Sequence, residues 1–189
     1  MTKNKIKVGT YLYPLPVVIV GAKIGEKANF MTVAYCGIVE SKPPMISISA
    51  SNSHHTNEGI RENQTFSVNI PSEDMVAVTD YIGMKSGKDI DKSSLFEIFY
   101  GDLKTAPMIE DAPINLECKV AKTIDMEKGH EIFIGEIVGA YSDDKYYTDG
   151  ILDIQKIKPL IYSTGQRKYL KVGELISSAW SIGHDYKKD

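Results

Sequence analysis

Cysteine is scarce in this chain, and its scarcity removes several protein classes at once. The 189 residues contain two cysteines, Cys36 and Cys118, far apart and in no CxxC pair. A disulfide-stapled scaffold or a zinc ribbon needs more thiols at closer spacing, so both are excluded. The charged start, apolar middle and small-residue cleavage site of a secretory leader are not legible either. The expected location is the cytoplasm, with both thiols reduced. Cys36 falls in the apolar-rich residues 33–39 and is expected to be a small packing residue rather than a redox thiol.

Long apolar runs are also missing. The longest stretch, residues 15–22, contains Pro16 and falls well short of the roughly 20 residues that cross a bilayer. Nor is there an excess of positive charge: 22 Lys and Arg are mixed among 25 Asp and Glu, a net charge of −3. A nucleic-acid binder would need a basic stripe to displace counterions. Neither a membrane nor a nucleic acid is expected as a partner.

Familiar catalytic signatures fail in turn. Gly83-Met84-Lys85-Ser86-Gly87-Lys88-Asp89 imitates a phosphate loop. Its glycines are too close together, and Asp89 stands where Ser or Thr would meet magnesium. No GxGxxG opens a helix after a strand, and no GxSxG, HExxH or paired-carboxylate pattern is found. His54 and His55 are neighbours whose rings diverge on a strand or a helix, with no third ligand nearby, so they are expected to be a polar turn and no metal is expected.

What is present is strand grammar. Hydrophobic residues are 42% and charged residues 25% of the chain, ordinary for a packed protein, and no linker or repeat divides it, so residues 1–189 are expected to form one domain. Residues 17–24 and 28–39 read as strands around a tight turn at Gly25, and Pro43-Pro44 then breaks the chain. From Met45 the pattern alternates, with Ile46, Ile48 and Ala50 inward and Ser47, Ser49 and Ser51 outward. A short helix runs to about Glu62, and residues 65–70 alternate again with Phe66, Val68 and Ile70 inward. Ser72 is placed to cap a helix ending near Gly83. Residues 114–124 and 132–141 form a hairpin with Gly129 in its turn, and residues 132–138 are apolar enough for burial on both faces. From Tyr162 the chain reads as extended structure that needs a partner surface. The fold class is therefore mainly β, a barrel or sandwich with a few short helices.

Four polar features interrupt that grammar. The serine face continues into Ser53 and Thr56 at the mouth of a helix, where free N–H groups suit a phosphate. Asn29-Phe30-Met31-Thr32-Val33-Ala34-Tyr35 mixes amide, hydroxyl and aromatic groups into a barrel strand. The loop at residues 85–92 carries Lys85, Lys88 and Lys92, which could close over an anion. His130 opens a strand just after a turn.

In order and spacing, a set of short motifs resembles the flavin reductase-like family. They are Pro14-x-Pro16 before Val17-Val18-Ile19-Val20, Asn29-Phe30-Met31-Thr32, Lys42-Pro43-Pro44-Met45-Ile46 leading to Ser47-Ile48-Ser49, Thr56 before a short helix, Phe66-Ser67-Val68-Asn69-Ile70, and Ser86-Gly87-Lys88-Asp89-Ile90-Asp91-Lys92. The likeness runs from about residue 10 to residue 165 and is closest to the flavoredoxin branch.

The resemblance implies an FMN-binding split barrel, a homodimer with FMN in a groove between subunits, and NAD(P)H or a small redox protein as electron donor. Carried over by position, Asn29, Met31, Thr32, Val33, Ala34 and Tyr35 line the isoalloxazine, with Tyr35 where the family often has Trp. Ser49, Ala50, Ser51 and Thr56 hold ribityl and phosphate, Ser86 and Lys92 close over them, and His130 lies beside the flavin. The resemblance thus implies an FMN-dependent oxidoreductase. The alternatives are a non-catalytic FMN-binding electron carrier and a dimeric barrel without cofactor.

Overall fold

A computed structural model describes residues 2–184, 186 and 187. Leu15–Pro16 is a two-residue strand (β1). Val18–Ile24 (β2) and Lys27–Val33 (β3) form a hairpin, as do Cys36–Ser41 (β4) and Pro44–Ser51 (β5). Helix Thr56–Asn63 (α1) leads into Thr65–Ile70 (β6), and a 3-10 turn at Glu73–Met75 leads into helix Val76–Met84 (α2). Ile98–Phe99 (β7) pairs with Met108–Ile109 (β8). The long hairpin is Ile114–Asp125 (β9) with His130–Tyr141 (β10). Beyond it lie Tyr147–Thr148 (β11), Ile151–Leu152 (β12), the single turn Ile154–Ile157 (α3), Ile161–Ser163 (β13) and Lys168–Leu170 (β14).

Seven strands make one antiparallel sheet in the order β3-β2-β6-β9-β10-β5-β4. Its outermost strands, β3 and β4, are consecutive in the chain and separated only by Ala34 and Tyr35. The three Cα steps from Val33 to Cys36 span roughly 11 Å at most, so the sheet must curl until its edges nearly meet. The result is a mainly β barrel, split along the β3/β4 seam. The expected strand at residues 28–39 is therefore two strands, because the chain changes edges at Ala34.

One side of the curled sheet fills the barrel. Val18, Val20 and Ala22 of β2 meet Met31, Val33, Ile48, Phe66, Val68 and Phe133 there, and Ile60 of α1 packs against them. A second cluster covers the outside of β2 and β3, where Ile19 and Phe30 meet Ile82 of α2 and Ile109. The strands buried on both faces are β2, β3 and β6. Residues 132–138, expected in that role, bury Phe133 and Gly135 but leave Ile132 and Ile134 half-covered and Val138 exposed. Among the described residues no helix packs over that outer face, which is why its apolar residues stay open.

The serine face of β5 alternates as expected, Gly129 takes φ +122° in the hairpin turn, and Ile70 packs against the core. Ser72 does not cap a helix through its side chain; its backbone bridges to Pro159 and the 3-10 turn starts after it. The closing segment is partly ordered by pairing, since β13 lies between β1 and β14. Cys36 is half-buried and Cys118 buried, and burial raises their thiols to about 11 and about 12, which makes both inert at neutral pH. Among the described residues no helix is long and apolar enough to cross a membrane.

Helix α1 lies close on β2 because Gly59 has no side chain. A Cβ there would collide with the Lys23 carbonyl and stand 2.9 Å from Ile24 Cγ1. Alanine normally stabilises a helix interior by about 1 kcal/mol relative to glycine. Here the backbone clash should outweigh it, so Gly59→Ala should destabilise the fold by roughly 1–2 kcal/mol in urea titrations. A gain in stability would show that α1 can shift freely on β2.

Candidate functional site

The seam places polar groups at the mouth of the barrel. Strand β3 is an edge, so its outward carbonyls need partners from outside the sheet. Lys92 supplies one: its Nζ donates to the Phe30 carbonyl at 3.0 Å and to the Ile82 carbonyl of α2 at 2.7 Å. Thr32 donates to the Thr79 carbonyl at 2.5 Å. Both bonds tie α2 to the β3 edge, and the cation lies near the helix C-terminus, where the dipole favours it. Burial pulls the Lys92 pKa below its ordinary value. Two of its three N–H groups are used, and among the described residues the third has no partner.

A cavity of about 190 Å³ opens beside this anchor, bounded by β3, the start of α1 and the loop after α2. Asn29 is buried and donates to Thr56 Oγ1 at 2.9 Å, which leaves the Thr56 hydroxyl hydrogen free to donate. Gly87 passes so close that a Cβ would collide with the Asn29 amide. Asn57 and Glu58 N–H groups turn back to the carbonyls of His54 and His55, and the N–H groups of His55 and Thr56 are left without a backbone acceptor. With the end of the α1 dipole, they favour an anion.

The groove continues outward into a second cavity of about 340 Å³. Tyr35 accepts the Ser49 N–H at 2.8 Å through its carbonyl, which fixes the seam against β5. The β5–β10 register sets His130 opposite Ser51, and the Tyr35 and His130 rings lie 6.2 Å apart. Tyr162 and Thr164 close the far side. The groove thus has a cationic, hydroxyl-rich inner end and a flat aromatic outer end.

Most of the residues singled out from sequence meet here. Asn29, Thr32, Thr56, Ser86 and Lys92 line the inner cavity, while Val33, Ala34, Tyr35, Ser49, Ser51 and His130 line the outer one. The Met31 and Val33 side chains belong to the barrel core, so their approach to the groove is through backbone. Ala50 lines neither cavity and packs in the core. The loop at residues 85–92 is not a set of three free cations, because Lys88 is paired with Glu58 at 3.0 Å and Lys92 is buried.

Sequence reasoning missed His54, Tyr162 and Thr164. His54 lines both cavities, and its buried Nδ1 has no partner. A buried polar atom without a hydrogen bond is costly unless a ligand supplies one. The signal available was its place between the serine face and α1; Tyr162 and Thr164, far along the chain, gave none. Among the described residues no group of three or more His, Cys, Asp or Glu gathers as a metal site.

Comparison with known proteins gives a consistent family. A model of the flavin reductase like domain matches residues 10–171. A crystal structure of flavoredoxin from Methanosarcina acetivorans is 43% identical, superposes with a TM-score of 0.94, and the match covers 97% of this chain and 98% of that one. Flavoredoxin of Desulfovibrio vulgaris (Miyazaki F) is 33% identical with a TM-score of 0.90, covering 96% and 100%. A high molecular weight rubredoxin of Moorella thermoacetica is 28% identical over 126 residues, 65% of this chain and 53% of that protein.

His54 has its pKa lowered from 6.5, first by burial and then by the positive neighbours Lys92 and His130. The unfolded chain therefore takes up a proton at this residue before the folded one does. Stability should fall as pH drops through about 6.5 towards the folded value, then level off for this group. Urea titrations across pH 5 to 8 should show a shallower fall for His54→Asn than for the unaltered protein. Identical slopes would mean that His54 titrates as freely folded as unfolded.

Proposed function

Because this chain belongs to the flavin reductase like domain family, we propose that it binds one flavin mononucleotide along the seam groove and acts as a redox protein of the flavoredoxin type. The observation carrying this reading is the polarity of the groove, whose two ends match the two ends of such a ligand. At the inner end Thr56, Ser86, the start of α1 and the free N–H of Lys92 suit a phosphate. His54 Nδ1 and the serine face suit ribityl hydroxyls. At the outer end Tyr35 and His130 border a planar ring that the backbone near Val33 and Ala34 meets edge-on.

The bound flavin would supply hydride acceptance or single-electron exchange; the protein holds it, orients it and sets its field. One terminal phosphate fits better than a diphosphate. The hollow beyond the inner end carries Asp89 and Asp91, its Lys27 is already paired with Asp91 at 3.3 Å, and those carboxylates oppose a second phosphate. Reducing equivalents come from NAD(P)H or a small redox protein in the cytoplasm. The likeness to a protein named as a rubredoxin favours keeping the electron-carrier reading beside the enzyme. Bleaching of the bound flavin by NADH or NADPH on a catalytic timescale separates the two.

The reading extends to a homodimer. The β4 edge exposes Ile38 at 67% and Val39 at 49%, β10 exposes Val138 at 46%, and the C-terminal segment exposes Ile176 at 96% and Trp180 at 98%. Apolar groups this open on one chain are the composition of an interface.

Two outcomes follow. Thr56→Val should weaken FMN about tenfold and riboflavin, which lacks the phosphate, much less; chromatography of the released ligand should give FMN. Equal losses for both ligands, or release of FAD, would overturn the placement. Trp180 is the chain's one tryptophan, so its emission should be blue-shifted at concentrations where sedimentation gives a dimer and red-shifted on dilution. A flavin-loaded monomer with unchanged emission would overturn the dimer.

A further inference from the structure

A hollow of about 510 Å³ lies between α2 and the C-terminal hairpin of β13 and β14, and adjoins the inner cavity at Thr32, Gly83 and Met84. It shares Thr32, Ala34 and Tyr162 with the outer end of the groove, so the two are contiguous. Tyr162 and Tyr169 form one wall, their rings 5.6 Å apart and tilted by 44°. The Tyr169 hydroxyl donates to Asp80 at 3.0 Å. Burial and then Asp80 push the Tyr169 pKa up to about 12, so the phenol keeps its proton and holds the ring to α2.

Arg167 stands at the rim with φ +53°, in the turn between β13 and β14. The N-terminal segment holds that turn: Gly165 N–H donates to the Tyr13 hydroxyl at 3.1 Å, and the Thr164 hydroxyl donates to the Thr10 carbonyl at 3.3 Å. Among the described residues Arg167 has no carboxylate partner. Asp80 is engaged by Tyr169 and repels negative charge from the helix wall. The hollow thus offers aromatic surface in its interior and a free guanidinium at one end.

We propose that this hollow is a second binding site, for a small planar aromatic molecule bearing a carboxylate or phosphate, with its ring against Tyr162 and Tyr169 and its anion on Arg167. Its role as the seat of the redox partner rests on the FMN reading above; its binding chemistry does not. The volume suits such a ligand, the tyrosines offer stacking and edge contacts, and guanidinium binds either oxyanion in a two-pronged fashion. Arg167 is a specificity residue, and it does not line the inner cavity.

The test uses three probes that do not react with flavin: benzoate, its neutral isostere benzamide, and phenyl phosphate. Calorimetric titration of the full chain, with and without FMN, should give both anions about tenfold tighter binding than benzamide. Arg167→Gln should abolish that preference, Arg167→Lys should keep part of it, and neither should change FMN affinity measured by flavin fluorescence. The stronger of the two anions identifies carboxylate or phosphate as the natural group. Benzamide binding as well as benzoate, or an anion preference that survives in Arg167→Gln, overturns the proposal. A protein that takes up no FMN yet keeps the Arg167-dependent preference supports this site and overturns the flavin reading. FMN bound with no preference for anions overturns this site alone.

Discussion

Ala34 and Tyr35 must carry the chain from one edge of a seven-stranded sheet to the other. Everything around the groove depends on that short link. A flat sheet of this width would hold its edges about 30 Å apart at the usual strand spacing, so curvature is compelled and the barrel closes at that end. The link also leaves β3 as an edge whose backbone groups must be met from elsewhere. Thr32, Lys92 and α2 meet them, and the groove is what remains beside this repair.

The buried polar groups of this protein fall into two kinds. Some are satisfied by the fold: Glu117 accepts from the N–H groups of Asp102 and Leu103 and from Tyr141, and Asn69 bridges Ile19, Ile109 and Asn115. These fix the long loop between β7 and β9 against the outside of β6 and β9. Lys92 belongs to both kinds, since two of its bonds are structural and one N–H is left over. His54 Nδ1 is wholly of the second kind. Where a fold leaves a buried polar atom unmet beside a cavity, the cost falls on the apo protein and is recovered on binding.

The chain also divides its apolar surface unevenly. The helices and the loop that precedes β9 cover β2, β3 and β6 from outside, which makes those strands buried on both faces. Among the described residues the β4–β5–β10 side receives no such cover. The same sequence thus builds a closed side carrying the groove's inner end and an open side carrying its aromatic end.

Alternation in residues 45–51 and 65–70, the β9–β10 hairpin and the short helix at Thr56 were legible because each depends on neighbours within a few residues. The polar interruption from Asn29 to Tyr35 was legible for the same reason: a strand that departs from Val and Ile marks a site. Which strand is covered on both faces was not legible, since residues 132–138 are as apolar as a doubly buried strand, and cover comes from segments far away in sequence. The break at Ala34 was hidden because β propensity continues smoothly from β3 into β4. His54, Tyr162 and Thr164 reached the groove only through sheet closure and the pairing of β1 with β13. Periodicity, being local, let the sequence by itself determine the strands and the polar residues of the site. The neighbours of each strand, the unmet Nδ1 of His54 and the second hollow were decided by tertiary structure, because a two-residue link bends the whole sheet.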